Sequence, residues 1–172
     1  MITIRQEEKK DYKEVFEVVE KSFATALHAD GTEQFLVEKL RKSEAFIPEL
    51  SLVAMIGDKI VGHILFTKVK VGETTQLGLA PLAVLPEYQN QGVGSALIKE
   101  GHRIAKAMGY DYSILIGHET YYPRFGYVPA KTFGITASFE VNDENFMAYN
   151  LSGTSKMLNG TLIYPKEFGI TS

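Results

Sequence analysis

The sequence predicts an α/β (α+β) fold: a mixed, mostly antiparallel sheet with one parallel crossover pair, flanked by helices. Three observations predict it. Apolar, β-branched runs separated by Gly57-Asp58 and Gly72-Glu73 read as an antiparallel meander. A glycine-rich loop then opens an amphipathic helix, and a short apolar strand follows; a strand–helix–strand connection pairs its strands in parallel. Two amphipathic helices precede the meander.

Ile2 and Ile4 alternate with polar neighbours, as in a short strand. Asp11 is placed to cap a helix carrying Val15, Phe16, Val18, Val19 and Phe23. A loop of mixed character, Thr25–Gly31, leads to a second helix from about Thr32, with Phe35, Leu36, Val37 and Leu40 as its apolar side. The meander comprises Leu52–Ile56, Lys59 to about Val71, and Thr74 to Leu85. The next helix starts at Gly92, places Val93, Leu97, Gly101, Ile104 and Met108 on one face, and stops at Gly109. Tyr112–Ile116 is the crossover strand, and Thr120–Tyr127 reads as a short helix ending at Gly126. Further strands follow, including Phe146–Leu151 and Thr161–Tyr164.

A chain of 172 residues, 45% hydrophobic and 23% charged, is expected to form one soluble domain, 1–172, with a substantial core. A net charge of −3 with no long basic run leaves nucleic-acid binding without an electrostatic footprint. The lack of cysteine excludes disulfides, thiolate catalysis and zinc–thiolate sites. No signal peptide and no membrane-length apolar run is present, so the cytoplasm is the simplest location. None of the four histidines has metal-ligand spacing, and no metal is expected.

The most informative stretch is Leu82-Ala83-Val84-Leu85-Pro86-Glu87-Tyr88-Gln89-Asn90-Gln91-Gly92-Val93-Gly94-Ser95. A strand runs into a polar loop, and two glycines open a helix. Such a junction presents unpaired backbone N–H groups at the positive end of a helix dipole, a site for an anion such as phosphate. A P-loop would need a lysine between Gly94 and Ser95. A dinucleotide loop would need Gly or Ala where Leu97 stands, and an acid at the end of the following strand, whereas Asp111 precedes it. The pattern Gln/Arg-x-x-Gly-x-Gly/Ala fits at every specified position, as Gln89-x-x-Gly92-x-Gly94.

That pattern resembles the acetyl-coenzyme A signature of the GNAT N-acetyltransferase superfamily. A second segment falls in register with it: Tyr122-x-x-x-Gly126-Tyr127 resembles the family's Tyr-x-x-x-Gly-Phe segment after its fifth strand. The element order matches the family along nearly the whole chain, with a common core over about 1–130. The strand extension over about 131–172 lies outside it.

The resemblance implies transfer of acetyl from acetyl-CoA to an amine of a small molecule or protein, directly within a ternary complex. It implies that the amides of Gln89, Asn90, Gln91, Gly92, Val93, Gly94 and Ser95 hold the pyrophosphate. The pantetheine arm would lie along Leu82, Ala83 and Val84, in a cleft opened by a bulge that splays this strand from the crossover strand. A backbone N–H near Val84 would then face the thioester carbonyl. The loop is neutral where relatives often carry a cation, so Arg124, Lys99 or Arg103 is expected to complement the phosphates. The family's proton donor for the leaving thiolate maps onto Tyr122, with Tyr121 as the competitor.

The base that neutralises the attacking amine stays open among His118, Glu119, His28, His63 and Glu87, with His118 and Glu119 ranked first because they follow the crossover strand. The acceptor is expected against the two amino-terminal helices, their loop His28–Gly31 and part of the carboxy-terminal extension. There His28 and Asp30 offer polar contacts, and Asp30 with Glu33 attracts a cationic amine. Two alternatives remain: an acyl-CoA sensor or scaffold without turnover, and a transferase with a longer acyl donor. Monomer and homodimer are both compatible with the sequence.

Overall fold

A computed structural model of the protein describes residues 1–24 and 30–170. His28 and the first part of the helix-joining loop lie outside the described residues. Among the described residues, nine strands form one sheet. They are β1 (Ile2–Gln6), β2 (Phe46–Ile56), β3 (Lys59–Val71), β4 (Thr74–Val84), β5 (Tyr112–Ile116), β6 (Val128–Pro129), β7 (Ile135–Ala137), β8 (Phe146–Asn150) and β9 (Gly160–Ile163). The helices are α1 (Tyr12–Phe23), α2 (Glu33–Arg41) and α3 (Val93–Ala107).

The main path runs β1-β2-β3-β4-β5-β8-β6, antiparallel except at β4–β5, the expected crossover pair. A second parallel pair lies in the extension, where β7 runs beside β9. β9 in turn pairs with Lys70 and Val71 at the end of β3, beyond the last partner of β2. The carboxy-terminal segment therefore lengthens the sheet rather than capping it.

Most elements lie where periodicity puts them, and the departures have local causes. β2 starts six residues before the expected Leu52. Pro48 hides its start, since proline usually interrupts a ladder; here it sits in an irregular stretch between the Phe46↔Thr67 and Ser51↔Leu65 pairs. Asp11 occupies the N-cap position of α1 but does not cap it with its side chain. Its carboxylate instead accepts two bonds from the Arg5 guanidinium, at 2.7 and 2.9 Å, and one from the Glu8 N–H at 2.8 Å. The Arg5 guanidinium holds the Asp11 carboxyl below its ordinary range.

The apolar faces of all three helices are narrower than their patterns suggest. Val93, Leu97 and Gly101 of α3 are buried, and Gly101 is glycine because a β-carbon there would meet the Phe66 ring. Met108, one turn beyond Ile104, is 42% exposed. On α1 and α2, Phe16 and Phe35 leave the core and meet edge-on at 5.4 Å between ring centres. Tyr122–Phe125 is a single 3-10 turn closed by Gly126 in the left-handed region, φ 98°.

Candidate active site

The site is built where the sheet fails to close. β4 and β5 pair only at Leu77↔Ser113 and Gly78↔Ile114. On its other edge β4 carries a bulge, with Ala80 and Pro81 set against Leu65 between the Ile64↔Leu82 and Phe66↔Leu79 pairs. A bulge bends the strand that carries it, and beyond Gly78 the two strands part. The gap opens into a cleft of about 820 Å³. Its walls are Leu79–Leu82 of β4, Ile116–Glu119 after β5, Phe23 of α1, Glu33 and Leu36 of α2, Tyr122, and four residues of the 140–145 segment.

The backbone of β4 decides what this cleft can bind. The Leu85 N–H donates to the Val61 carbonyl at 2.9 Å, so odd-numbered residues here bond to β3. Strand alternation turns the polar backbone groups of Leu82 and Val84 to the open side. Val84 finds partners within the protein: its N–H donates to Ser22 Oγ at 3.1 Å, and its carbonyl accepts from Gln89 Nε2 at 3.2 Å. The Val84 N–H expected near a ligand is thus already satisfied within the protein, and the N–H of Leu82, two residues back, turns to the open side.

The loop after β4 forms a 3-10 turn, Pro86–Tyr88, and enters α3 through Asn90 at φ 63° and Gly92 at φ 88°. Both residue types tolerate the left-handed region. The side chains of the two glutamines fold back on the loop, Gln89 onto Val84 and Gln91 Nε2 onto the Glu87 carbonyl at 2.9 Å. No side chain caps α3. Its first-turn N–H groups, on Val93, Gly94 and Ser95, are thus presented at the positive end of a 15-residue helix. A β-carbon on Gly92 would meet nothing within 4 Å, so the space in front of the loop is open.

Of the three cations expected to assist, Arg103 forms a bidentate pair with Glu100 at 2.7 and 2.9 Å, in the third turn of α3. Lys99 is exposed midway along the same helix. Arg124 lies over the Tyr121 ring, 4.6 Å from its centre, and donates to the Tyr121 carbonyl at 3.3 Å.

The two neighbouring tyrosines take different places. Tyr121 reaches the start of α3, where its hydroxyl would collide with a β-carbon at Gly94. Tyr122 lines the cleft. Its ring rests on Gly117, which has no room for a β-carbon, and stands edge-on to Tyr127 at 5.8 Å. Tyr127 is fully buried and is fixed through its hydroxyl by Ser113 Oγ at 2.7 Å and His102 Nε2 at 2.9 Å. Burial pushes the Tyr122 phenol well above its ordinary value, and the neighbouring Tyr121 adds to the rise.

Among the candidate bases, His118 and Glu119 line the cleft. Glu87 lies on the loop outside it. His63 is fully buried away from the cleft, beside Ser51 at 3.2 Å and Glu7 at 3.9 Å, and burial pushes it down to about 4. Asp30 does not reach the cleft either: its carboxylate accepts from the N–H and hydroxyl of Thr32 at 2.9 and 2.6 Å. Glu33 does line it. Tyr127 lay in the second motif, but its partners Ser113 and His102 carried no sequence signal, and neither did Ser22 and Asn145, because each acts through a partner distant in the chain; Glu140 is recognised only by its place in the cleft wall.

The comparisons agree with this geometry. A model of the acetyltransferase (GNAT) family matches residues 12–127. The chain is 37% identical over 161 residues to an uncharacterized N-acetyltransferase, YjhQ, of Escherichia coli, covering 89% of this chain and 86% of that one. It is 32% identical over 128 residues to YhbS of the same species, again an uncharacterized N-acetyltransferase, covering 73% and 74%. Among solved structures, a GNAT family acetyltransferase from Brucella melitensis in complex with acetyl-CoA is 29% identical with a TM-score of 0.82, covering 98% of each chain. YhbS in complex with CoA is 25% identical with a TM-score of 0.86, covering 99% of this chain and 93% of that one. A matched motif pair, a parted β4–β5 edge and a family model spanning the residues between α1 and Tyr127 lead to one assignment: the chain belongs to the GNAT family, acetyl-CoA-dependent N-acetyltransferases.

Proposed function

We propose that this protein transfers the acetyl group of acetyl-CoA directly to a primary amine bound in the same cleft, with Tyr122 as general acid. The observation that carries the reading is the cleft itself, which holds Tyr122 in its wall and whose Leu82 side chain would lie 3.9 Å from a β-carbon on Gly94, in the first turn of α3. Solved relatives bound to acetyl-CoA and CoA support the choice of cosubstrate.

The residues present fit that cosubstrate. The free amides of Val93, Gly94 and Ser95 suit a pyrophosphate, and the left-handed Asn90 and Gly92 shape the loop around it. Leu82 offers backbone groups to an amide-bearing arm, and its N–H is the donor suited to a carbonyl oxygen gaining charge. Acetyl-CoA, when bound, supplies the activated acyl group. Tyr122 keeps its proton at neutral pH and can pass it from Oη to a departing sulfur. His118 is the cleft-lining base we favour. Glu119 is held in its ionised form, first by its own backbone N–H and then by Asn145, and so suits binding charge better than taking up a proton. One domain, core and extension together, carries the site, since the 140–145 segment completes the cleft wall.

The test is direct. Purified protein is incubated with acetyl-CoA and a panel of amines, and free thiol and acetylated amine are measured. Binding of acetyl-CoA without thiol release across the panel would favour a sensor instead.

A further inference from the structure

We infer that the Tyr127 hydroxyl is a positioning group for Tyr122: held by Ser113 and His102, it locks the ring beside which Tyr122 stands and so fixes where the Tyr122 hydroxyl lies in the cleft. The inference rests on the reading of Tyr122 as general acid and deepens it.

Ring contacts place Tyr122. Its ring lies against Gly117, edge-on to Tyr121 at 5.0 Å between centres and to Tyr127 at 5.8 Å. Among the described residues no hydrogen bond holds its side chain, so its place follows from that of its neighbours. Of the two neighbouring tyrosines, Tyr121 is partly exposed and Tyr127 is fully buried. The Tyr127 hydroxyl is bonded to Ser113 Oγ on β5 at 2.7 Å and to His102 Nε2 on α3 at 2.9 Å. Ser113 belongs to one of the two residue pairs that still join β4 to β5, so this bond anchors the ring to the sheet just before the strands part. His102 in turn stacks on Tyr149 of β8 at 4.4 Å. The Tyr149 ring leaves no room for a β-carbon on Gly126, the residue that joins Tyr127 to the turn carrying Tyr122.

The second motif has phenylalanine at this position, and a phenylalanine ring would fill the same space. The hydroxyl adds direction. A ring held by packing alone can tilt and slide, whereas two hydrogen bonds fix its depth and its angle. A buried hydroxyl is favourable only when it is bonded, and this one has both partners within reach. Burial pushes His102 down to about 4 and raises the Tyr127 phenol, so near neutral pH the group moves no proton and works by geometry. Geometry is what Tyr122 needs. Its hydroxyl must come within hydrogen-bond reach of the departing sulfur, and a misplacement of about 1 Å can cost about a hundredfold in rate.

The test is a double-mutant cycle on kcat between Tyr127→Phe and Tyr122→Phe. Thiol release is measured with the amine used fastest among spermidine, glucosamine, lysine and a peptide with a free amino terminus. Acetyl-CoA affinity is measured by calorimetry, and thermal unfolding shows that each variant is folded at the assay temperature. Tyr127→Phe should lower kcat by about tenfold to a hundredfold, with acetyl-CoA affinity within about twofold of normal. In the Tyr122→Phe background the same substitution should cost nothing further, because the group it positions is gone. Ser113→Ala removes one of the two bonds and should lower kcat by less; it replaces Tyr127→Phe in the cycle if that variant does not fold. A purely structural role would act alike in both backgrounds. An unchanged kcat, or an equal loss with and without the Tyr122 hydroxyl, would overturn the inference and leave the general acid standing. Full turnover by Tyr122→Phe, or no thiol release with any of the amines, would overturn the reading beneath it.

Discussion

The hydroxyl of Ser22 on α1 accepts the N–H of Val84 on β4 at 3.1 Å, on the edge of β4 that β5 has left. An open strand edge is normally a row of unpaired groups. Here a helix side chain satisfies one of them, and the Gln89 side chain satisfies the carbonyl of the same residue. The edge is thereby closed at Val84, while the backbone of Leu82 stays on its open side.

Ser22→Ala removes the acceptor and leaves the Val84 N–H unpaired. The expected cost is about 1–3 kcal/mol of stability. Hydrogen exchange at the Val84 amide is the sharper readout. Its protection should fall while that of the Leu85 amide, which donates to Val61 within the sheet, stays higher. An unchanged Val84 rate would show that something other than Ser22 protects it.

Tyr122→Phe should lower turnover by roughly tenfold to several thousandfold with acetyl-CoA affinity near normal. Tyr121→Phe should not reproduce that pattern, because Tyr121 faces Gly94 rather than the cleft. The pH profile follows from the raised phenol. Below its shifted value Tyr122 keeps the proton it must donate, so the rate should climb as the amine loses its proton, without a decline near pH 10. A falling limb centred near that ordinary tyrosine value would argue against an acid in this environment.

The Gly94 site offers a paired test. A β-carbon there would strike the Tyr121 hydroxyl, so Gly94→Ala must displace either the ring or the start of α3. Acetyl-CoA affinity should fall by roughly tenfold or more, by the cost of overpacking. Adding Tyr121→Phe deletes the colliding atom and should restore much of the loss. Gly92→Ala has open space around its β-carbon and should instead show the cost of a left-handed backbone, about 1 kcal/mol or more of stability. If Gly94→Ala binds acetyl-CoA like the unaltered protein, the helix end is not the phosphate site.

The sequence made the frame of this site legible and left its walls obscure. Lys59–Val71 and Tyr112–Ile116 are bounded by turn residues and rich in apolar, β-branched and aromatic side chains, so the pattern located both strands. The glycine loop was legible because Gly92 and Gly94 are dictated by backbone geometry and close approach, which are local properties. Ser22, Glu140 and Asn145 were not, because a lone polar residue reveals nothing until the fold shows what it faces. Asp30 failed for a related reason. A short carboxylate beside a helix start has a partner in its own backbone and in Thr32, and that contact wins over a distant ligand. Pro48 hid the start of β2, since the bulge that accommodates it depends on β3.

Acid should destabilise this protein well above the pH at which its carboxylates titrate. His63 is buried with Ser51 and Glu7, and burial outweighs the Glu7 charge to push it down to about 4. His102 is stacked on Tyr149 at 4.4 Å and bonded to Tyr127, and burial likewise pushes it down to about 4. In the unfolded chain both would titrate near 6.5. Above that value neither form binds a proton and the full stability is present. Between about 6.5 and 4 the unfolded chain binds protons that the folded one refuses, so stability falls as the pH drops, by about 1.4 kcal/mol per pH unit for each histidine. Asp11, held below the ordinary carboxylate range by Arg5, loses its contribution only at lower pH and does not obscure this window. Urea unfolding at about pH 7 and pH 5 should show a drop of several kcal/mol, and His63→Gln, whatever its own stability, should flatten the dependence by about half. An equal slope in that variant would show that His63 is protonated in the folded protein or that another group controls the transition.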